Sequence, residues 1–255
     1  MSHEVFNRVA EAYDAARPGY PGDLYDALAD LSSVPLAGAT VADVGAGTGI
    51  STRGLLDRGA RVVAVDPGER MLARLVARTH SPRAVVGDGN ALPLRSGSAD
   101  LVCYAQAWHW LRPEESIQEA LRVVRPGGAV AAWWNTLDLG ASSAGWLVAH
   151  EMRLAESCPG YWGPALPEWH MPPIAAVMAE AGLGVREAWV HWTREVGVDD
   201  FLLDLRSHSY VAAMEGDAVD RLVARLRAGL AEVFPGGGLR VPMRVYLAVA
   251  PRADG

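Results

Sequence analysis

Lysine is absent from this sequence, so every one of its 23 basic residues is arginine. That absence removes each mechanism that depends on a lysine amine: Schiff-base chemistry, the Gly-Lys-Ser/Thr phosphate loop and the Tyr-x-x-x-Lys proton relay. Cysteine is scarce as well. Cys103 and Cys158 lie far apart and form no Cys-x-x-Cys pair, which excludes thiol-based zinc and redox motifs; both read as buried free thiols, and no metal site is expected. No apolar run approaches the roughly 20 residues of a membrane span. The opening residues from Met1 to Arg8 lack the apolar segment of a secretory leader. The expectation is a cytoplasmic protein with no membrane partner. A basic stripe is missing too: the formal charge is −7 and the arginines are scattered, a balance that repels phosphate backbones and argues against nucleic acid. A small-molecule partner fits better, with the chain a monomer or homodimer.

At 255 residues the chain suits one well-buried α/β core. From Thr40 to Trp134 short β-branched or apolar runs alternate with longer amphipathic ones, the pattern of βαβ units in a doubly wound parallel sheet. Strands are predicted at Thr40–Val44, Arg61–Asp66, Arg83–Gly87, Asp100–Ala105 and Gly128–Trp134. Helices are predicted between them at Ser51–Asp57, Glu69–Arg78 and Pro113–Val124, the last with proline suited to a first turn. Arg125-Pro126-Gly127-Gly128 stops that helix. After Trp134 the alternation breaks. Residues 136–172 read as an inserted cap, which the N-terminal segment 1–38 joins over the active site. Then follow a helix at Ile174–Ala181, a strand at Val185–Trp192, helices at Asp199–Met214 and Asp217–Phe234, and a strand at Val241–Val249. The expected fold is a single Rossmann-like α/β domain with a seven-stranded sheet and a helical cap.

The first strand ends in Asp43-Val44-Gly45-Ala46-Gly47-Thr48-Gly49. Glycine lacks the Cβ that would keep a ligand from the backbone amides, so this turn can hold a pyrophosphate or the amino-acid end of S-adenosylmethionine (SAM). A dinucleotide site wants its third glycine three positions after the second, where Ile50 stands, and the spacing favours SAM. Asp66 ends the second strand where a carboxylate accepts hydrogen bonds from both ribose hydroxyls. Asp88, in Gly87-Asp88-Gly89-Asn90-Ala91, follows the third strand, where a carboxylate can accept a hydrogen bond from the adenine amino group.

These pieces, with Phe6–Asp14, Arg17-Pro18-Gly19-Tyr20-Pro21, Val65-Asp66-Pro67, Ala105–Trp110 and Arg125–Gly128, resemble the class I SAM-dependent methyltransferases, in particular the small-molecule branch that includes trans-aconitate methyltransferase-like proteins. The resemblance implies an antiparallel last strand, SAM as cofactor and S-adenosylhomocysteine (SAH) as product. It implies that Gly45, Gly47 and Gly49 border the methionine moiety, that Asp43 orders the loop, that Asp66 holds the ribose, and that Asp88 with Asn90 or Ala91 flanks adenine. Ala46, Pro67, Met71, Gly89, Ala105, Gln106 and Tyr13 complete the implied cofactor set.

Methyl transfer from a sulfonium is an in-line displacement, so alignment and water exclusion outweigh acid–base work. His109, just past the fourth strand, is the expected general base for an oxygen or nitrogen acceptor; a histidine that merely positions the cofactor is the competing reading. All nine tryptophans fall between Trp108 and Trp192, on the acceptor side, where they line a cavity or pack the cap. Tyr20, Trp108 and Asn135 are candidate acceptor residues. A carboxylate acceptor would need a guanidinium clamp, for which Arg206 is the candidate. The alternative function is a SAM-binding protein of the same fold that transfers no methyl group, a cyclase or binding module.

Overall fold

In a computed structural model the chain is described at residues 17–79, 83–161, 163 and 172–253. Seven strands form one sheet: β1 (Thr40–Val44), β2 (Arg61–Asp66), β3 (Arg83–Val86), β4 (Ala99–Ala105), β5 (Val124–Leu137), β6 (Arg186–Gly197) and β7 (Gly238–Pro251). Their order is β3-β2-β1-β4-β5-β7-β6. Pairings from β3 through β5 are parallel, whereas β7 runs antiparallel to both β5 and β6. Val41, Ala42, Leu101 and Val102 are all but inaccessible, as expected of central parallel strands covered on both faces.

The helices in chain order are α1 (Gly22–Ser32), α2 (Ile50–Asp57), α3 (Glu69–Arg78), α4 (Pro113–Val123), α5 (Gly145–Ser157), α6 (Ile174–Glu180), α7 (Val198–Arg206), the single turn α8 (Ser209–Ala212) and α9 (Gly216–Val233). One face of the sheet is sealed by Ile117 and Ala120 of α4 with Ile174 and Met178 of α6. The other is sealed by Leu24, Tyr25 and Leu28 of α1 with Leu55 of α2. A third apolar cluster lies beyond the sheet proper. There Leu147 and Leu154 of α5, Leu202 and Leu205 of α7, and Leu222 and Leu226 of α9 pack on the far halves of β6 and β7.

Three expectations need correction. The predicted helix Asp199–Met214 is broken after Arg206, because Ser207 turns back on Asp204: its amide and its hydroxyl both donate to the Asp204 carbonyl, at 2.9 and 2.6 Å. Arg125–Gly128 ends α4 and then lies within the β5 run, where the register shifts opposite Ala99 and Leu101. A Cβ on Gly128 would sit 2.4 Å from the Asp100 carbonyl, so only glycine fits that bulge. Helix α1 fell inside the N-terminal segment without a range of its own. The sheet's crossover falls between β1 and β4, and the carboxyl ends of these two strands frame the crevice where open α/β sheets bind ligands.

Candidate functional site

The glycine turn that follows β1 is forced into shape from two sides. Gly45 (φ +71°), Gly47 (φ +56°) and Gly49 (φ +86°) are all left-handed, a conformation that other residues adopt at a cost of about 1–2 kcal/mol. A Cβ on Gly45 would lie 2.3 Å from that of Ala107, and one on Gly49 would lie 2.7 Å from Leu75 Cγ. Packing therefore demands both outer glycines. Gly47 differs, since its Cβ would meet only Met71 Cε at 3.9 Å. The backbone there faces open space that a ligand can enter.

Behind the turn Asp43 is inaccessible. Its Oδ2 accepts the Thr52 hydroxyl at 2.6 Å, while its Oδ1, Thr48 Oγ1 and Ser51 Oγ are buried with no hydrogen-bond partner. Burial raises the Asp43 carboxyl to about 6, against the Thr52 hydrogen bond and with help from the charge of Asp66. Buried polar atoms without partners each cost about 1–3 kcal/mol, so the turn suits a ligand whose polar end approaches these groups. The amino-acid end of SAM is such a group.

Asp66 meets the turn from β2. Its Oδ2 accepts the Gly47 amide at 2.9 Å and its Oδ1 the Gly68 amide at 2.7 Å, which holds the carboxylate rigidly beside the open face. Asp88 is exposed, and Asn90 donates to its Oδ1 from both backbone and side chain at 2.8 and 2.7 Å. Asn90 Oδ1 in turn accepts the Arg112 amide at 2.7 Å, tying this loop to the segment after β4. Gly89 is wedged against Leu111 and Val44. The residue after β4, Gln106, is itself left-handed (φ +51°). Tyr20 donates to its Oε1 at 3.1 Å and stands edge-on to Trp133. Pro67 and Ala105 continue the β2 and β4 ends, and Ala46, Met71 and Ala91 border the same loops. Tyr13 lies outside the described residues.

Next to Gln106 opens a cavity of about 330 Å³, walled by Trp110, Trp134, Leu154, Phe201 and Met243 and carrying Arg17, His109, Glu151, Arg194, Asp204 and His208. His109 is an exposed residue at the rim of the hollow, and desolvation by the protein on its inner side lowers its imidazole to about 4. The Trp134 indole N–H points at His109 Nδ1 from 3.4 Å, which leaves the ring proton on Nε2. His109 is thus neutral near pH 7, with its Nδ1 lone pair turned to Trp134 and its Nε2–H free to donate. Glu151, from α5, accepts the Tyr161 hydroxyl, and burial raises its carboxyl to about 7. Asp204, from α7, accepts Arg194 Nη1 at 2.8 Å. Burial opposes its charge, but the nearby His208 imidazole with the charges of Arg17 and Arg194 outweighs burial and holds the carboxyl below its ordinary value.

Several acceptor residues named from sequence lie elsewhere. Trp108 is a core residue whose indole donates to Ser116 Oγ at 2.9 Å. Arg206 sits on the outer face of α7, 40% exposed and paired with Asp220 at 2.7 Å, away from the cavity. Asn135 borders the cavity, yet its amide donates to the Gly19 carbonyl at 3.1 Å and its oxygen accepts the Trp192 indole at 3.2 Å. It fastens the N-terminal segment to the sheet. Arg17, Glu151, Arg194, Asp204 and His208 were missed; the one sequence signal was an acid at Asp204 on the apolar side of an amphipathic helix, four residues before a histidine. Among the described residues no group of three or more histidine, cysteine or carboxylate side chains could hold a metal ion, and no helix is long and apolar enough to cross a membrane.

Residues 42–132 match the family model described as a methyltransferase domain. An uncharacterized methyltransferase of Mycobacterium tuberculosis is 44% identical over 133 residues, covering 52% of this chain and 53% of its own length. One from Schizosaccharomyces pombe is 35% identical over 161 residues, with 63% and 62% covered. The chain thus spans between half and two thirds of the length of these relatives. Among solved structures, a protein described as a type II methyltransferase from Anaeromyxobacter dehalogenans superposes with a TM-score of 0.65 at 21% identity, over 92% of this chain and 97% of that one. That likeness extends the fold over both the sheet and the helices beyond it.

Proposed function

We propose that this chain, of which residues 42–132 match a methyltransferase domain model, is a class I SAM-dependent methyltransferase that transfers the methyl group of SAM to a small-molecule acceptor held in the cavity beside Gln106. The observation that carries the reading is the turn at Gly47, a left-handed backbone open to a ligand and flanked by the fixed carboxylate of Asp66. SAM brings an already activated methyl on a sulfonium. The protein's part is placement. Gly45, Gly47 and Gly49 take the amino-acid end, Asp66 the ribose, and Asp88 with Gly89, Asn90 and Ala91 the adenine. Gln106, His109 and Trp110 stand between this crevice and the cavity. His109, neutral and with its proton on Nε2, donates a hydrogen bond that orients the acceptor for in-line attack. Within the N-terminal segment 1–38, α1 belongs to the packing of the sheet, so Arg17 and Pro18 join α5, α7 and α9 as one cap on a single domain, and water exclusion falls to that cap.

Isothermal titration of the folded protein with SAM and SAH tests the donor half, and the absence of binding to either sinks the assignment. Release of SAH in the presence of alcohol, phenol and amine acceptors separates methyl transfer from binding alone. If His109→Ala turned over at the unaltered rate and KM, the orienting role of His109 would be wrong.

A further inference from the structure

Asp204 is 8% exposed and lines the cavity, yet only half of its carboxylate is satisfied. Oδ2 accepts Arg194 Nη1 at 2.8 Å. Oδ1 has no hydrogen bond. Arg17 Nε at 3.6 Å and His208 Nε2 at 3.7 Å stop short of it, close enough for charge but too far for a bond. His208 is fixed from its other side, where Nδ1 meets the Tyr210 hydroxyl. The imidazole is held below its ordinary pKa by burial and by Arg17, so it is neutral and carries one proton. The Asp204 carboxylate 3.7 Å from Nε2 favours the tautomer with its proton there, in which Nδ1 accepts the Tyr210 hydroxyl. Arg17 is committed as well, since its Nε donates to Ser207 Oγ at 3.2 Å.

We propose that Asp204 and His208 form an anchoring subsite for a hydroxyl group on an otherwise apolar acceptor, an inference that rests on the methyltransferase reading of the cavity. A hydroxyl both donates and accepts. It can give its proton to Asp204 Oδ1 and take one hydrogen bond from His208 Nε2–H, which closes the gap that the protein leaves open. A carboxylate only accepts, and it would set a second negative charge against Asp204. An ammonium only donates, and it would lie beside the guanidinium groups of Arg17 and Arg194. The remaining wall, Leu154, Phe201, Leu205 and Met243, accommodates the apolar body. The two arginines with the chemistry to clamp a carboxylate are instead drawn onto the protein's own one.

Three probes of one size decide the matter: benzyl alcohol, benzylammonium and benzoate, titrated at pH 7 into the full-length protein saturated with SAH. Quenching of Trp110 and Trp134, which line the cavity, reports occupancy. Benzyl alcohol is expected to bind at least about tenfold more tightly than either charged probe. Asp204→Asn, checked by circular dichroism, is expected to bring benzoate to within about threefold of the alcohol, because the repelling charge is gone. His208→Leu is expected to weaken the alcohol about fivefold while leaving benzoate unchanged. Benzoate or benzylammonium binding as tightly as the alcohol to the unaltered protein would overturn the proposal, as would failure of all three to bind. Should Asp204→Asn not fold, the unaltered protein and His208→Leu decide between these outcomes. Calorimetry with SAH on the same sample keeps the two readings apart: loss of SAH binding counts against the methyltransferase assignment, whereas SAH binding with no preference for the alcohol counts against the hydroxyl subsite alone.

Discussion

The crevice above β1 and β4 and the cavity beneath α5 and α7 adjoin at Gln106, but they are built by different means. In the crevice the main chain does most of the work: left-handed glycines, two amides fixed on Asp66, and loops short enough to be set by local sequence. In the cavity side chains from distant segments converge, Arg17 from the start of the described residues meeting Arg194 and Asp204 from β6 and α7. A site made of backbone is robust to its surroundings and common to many chemistries. A site made of converging charges is individual, and it is costly to disturb.

That contrast predicts the largest loss at Arg194. Its side chain and that of Asp204 are each 11% exposed, and breaking a buried pair leaves a charge uncompensated. Arg194→Met is expected to lower stability by about 3–5 kcal/mol in urea denaturation; a loss under about 1 kcal/mol would mean that Arg17 and His208 neutralise Asp204 unaided.

Next comes Glu151, whose carboxyl is pushed up to about 7 from 4.5 by burial, with the Tyr161 hydrogen bond pulling the other way. Below 4.5 the group is protonated in both folded and unfolded states. Between 4.5 and 7 the unfolded chain releases its proton while the folded one keeps it, so stability falls as pH rises through this window. Above 7 the penalty is complete at about 3 kcal/mol. Glu151→Gln keeps an oxygen for the Tyr161 hydroxyl and cannot ionise. The difference in stability between variant and parent should therefore grow in the variant's favour from pH 4.5 to 7 and then level off. A difference flat with pH would place an unseen cation beside Glu151.

In the crevice the effect should appear in binding more than in folding. Gly47→Ala introduces a left-handed alanine, worth about 1 kcal/mol of stability, with its methyl in the space the ligand needs. SAH affinity is expected to fall on the order of a hundredfold, about 2.7 kcal/mol. Equal losses in folding and binding would show that the open face of Gly47 is not where the cofactor lies.

The same contrast explains what could be read without coordinates. β1, β2 and α3 match their predicted bounds residue for residue, because the Val- and Ala-rich runs, Gly59 and Gly68 mark them locally. The spacing of Gly45, Gly47 and Gly49 likewise carries its meaning within five residues. Trp108 was misplaced because an indole beside a strand end reads the same whether it turns to Ser116 in the core or toward a hollow. Glu151 and Asp204 were missed for the opposite reason. Each sits on an amphipathic helix where an acid ordinarily marks the solvated face, and only the partners Tyr161 and Arg194, brought from other segments, make burial tolerable. Sequence periodicity assigns a side to a helix, not the companions found on it.

Arg206 gives the smallest effect and the sharpest check on the division. It lies one turn along α7 from Leu202, two residues after Asp204, and on sequence alone it had the better claim to the acceptor. In the fold it is 40% exposed, with a partner, Asp220, that is 70% exposed. Exposed pairs contribute about 0–1 kcal/mol, so Arg206→Ala should change stability by about 0.5 kcal/mol or less and leave the affinity for benzyl alcohol unaltered in the fluorescence titration. Arg194→Met, two residues past the end predicted for its strand, should do the reverse on both counts. If Arg206→Ala weakened the alcohol probe while Arg194→Met did not, the polar end of the cavity would have to be moved to the outer face of α7.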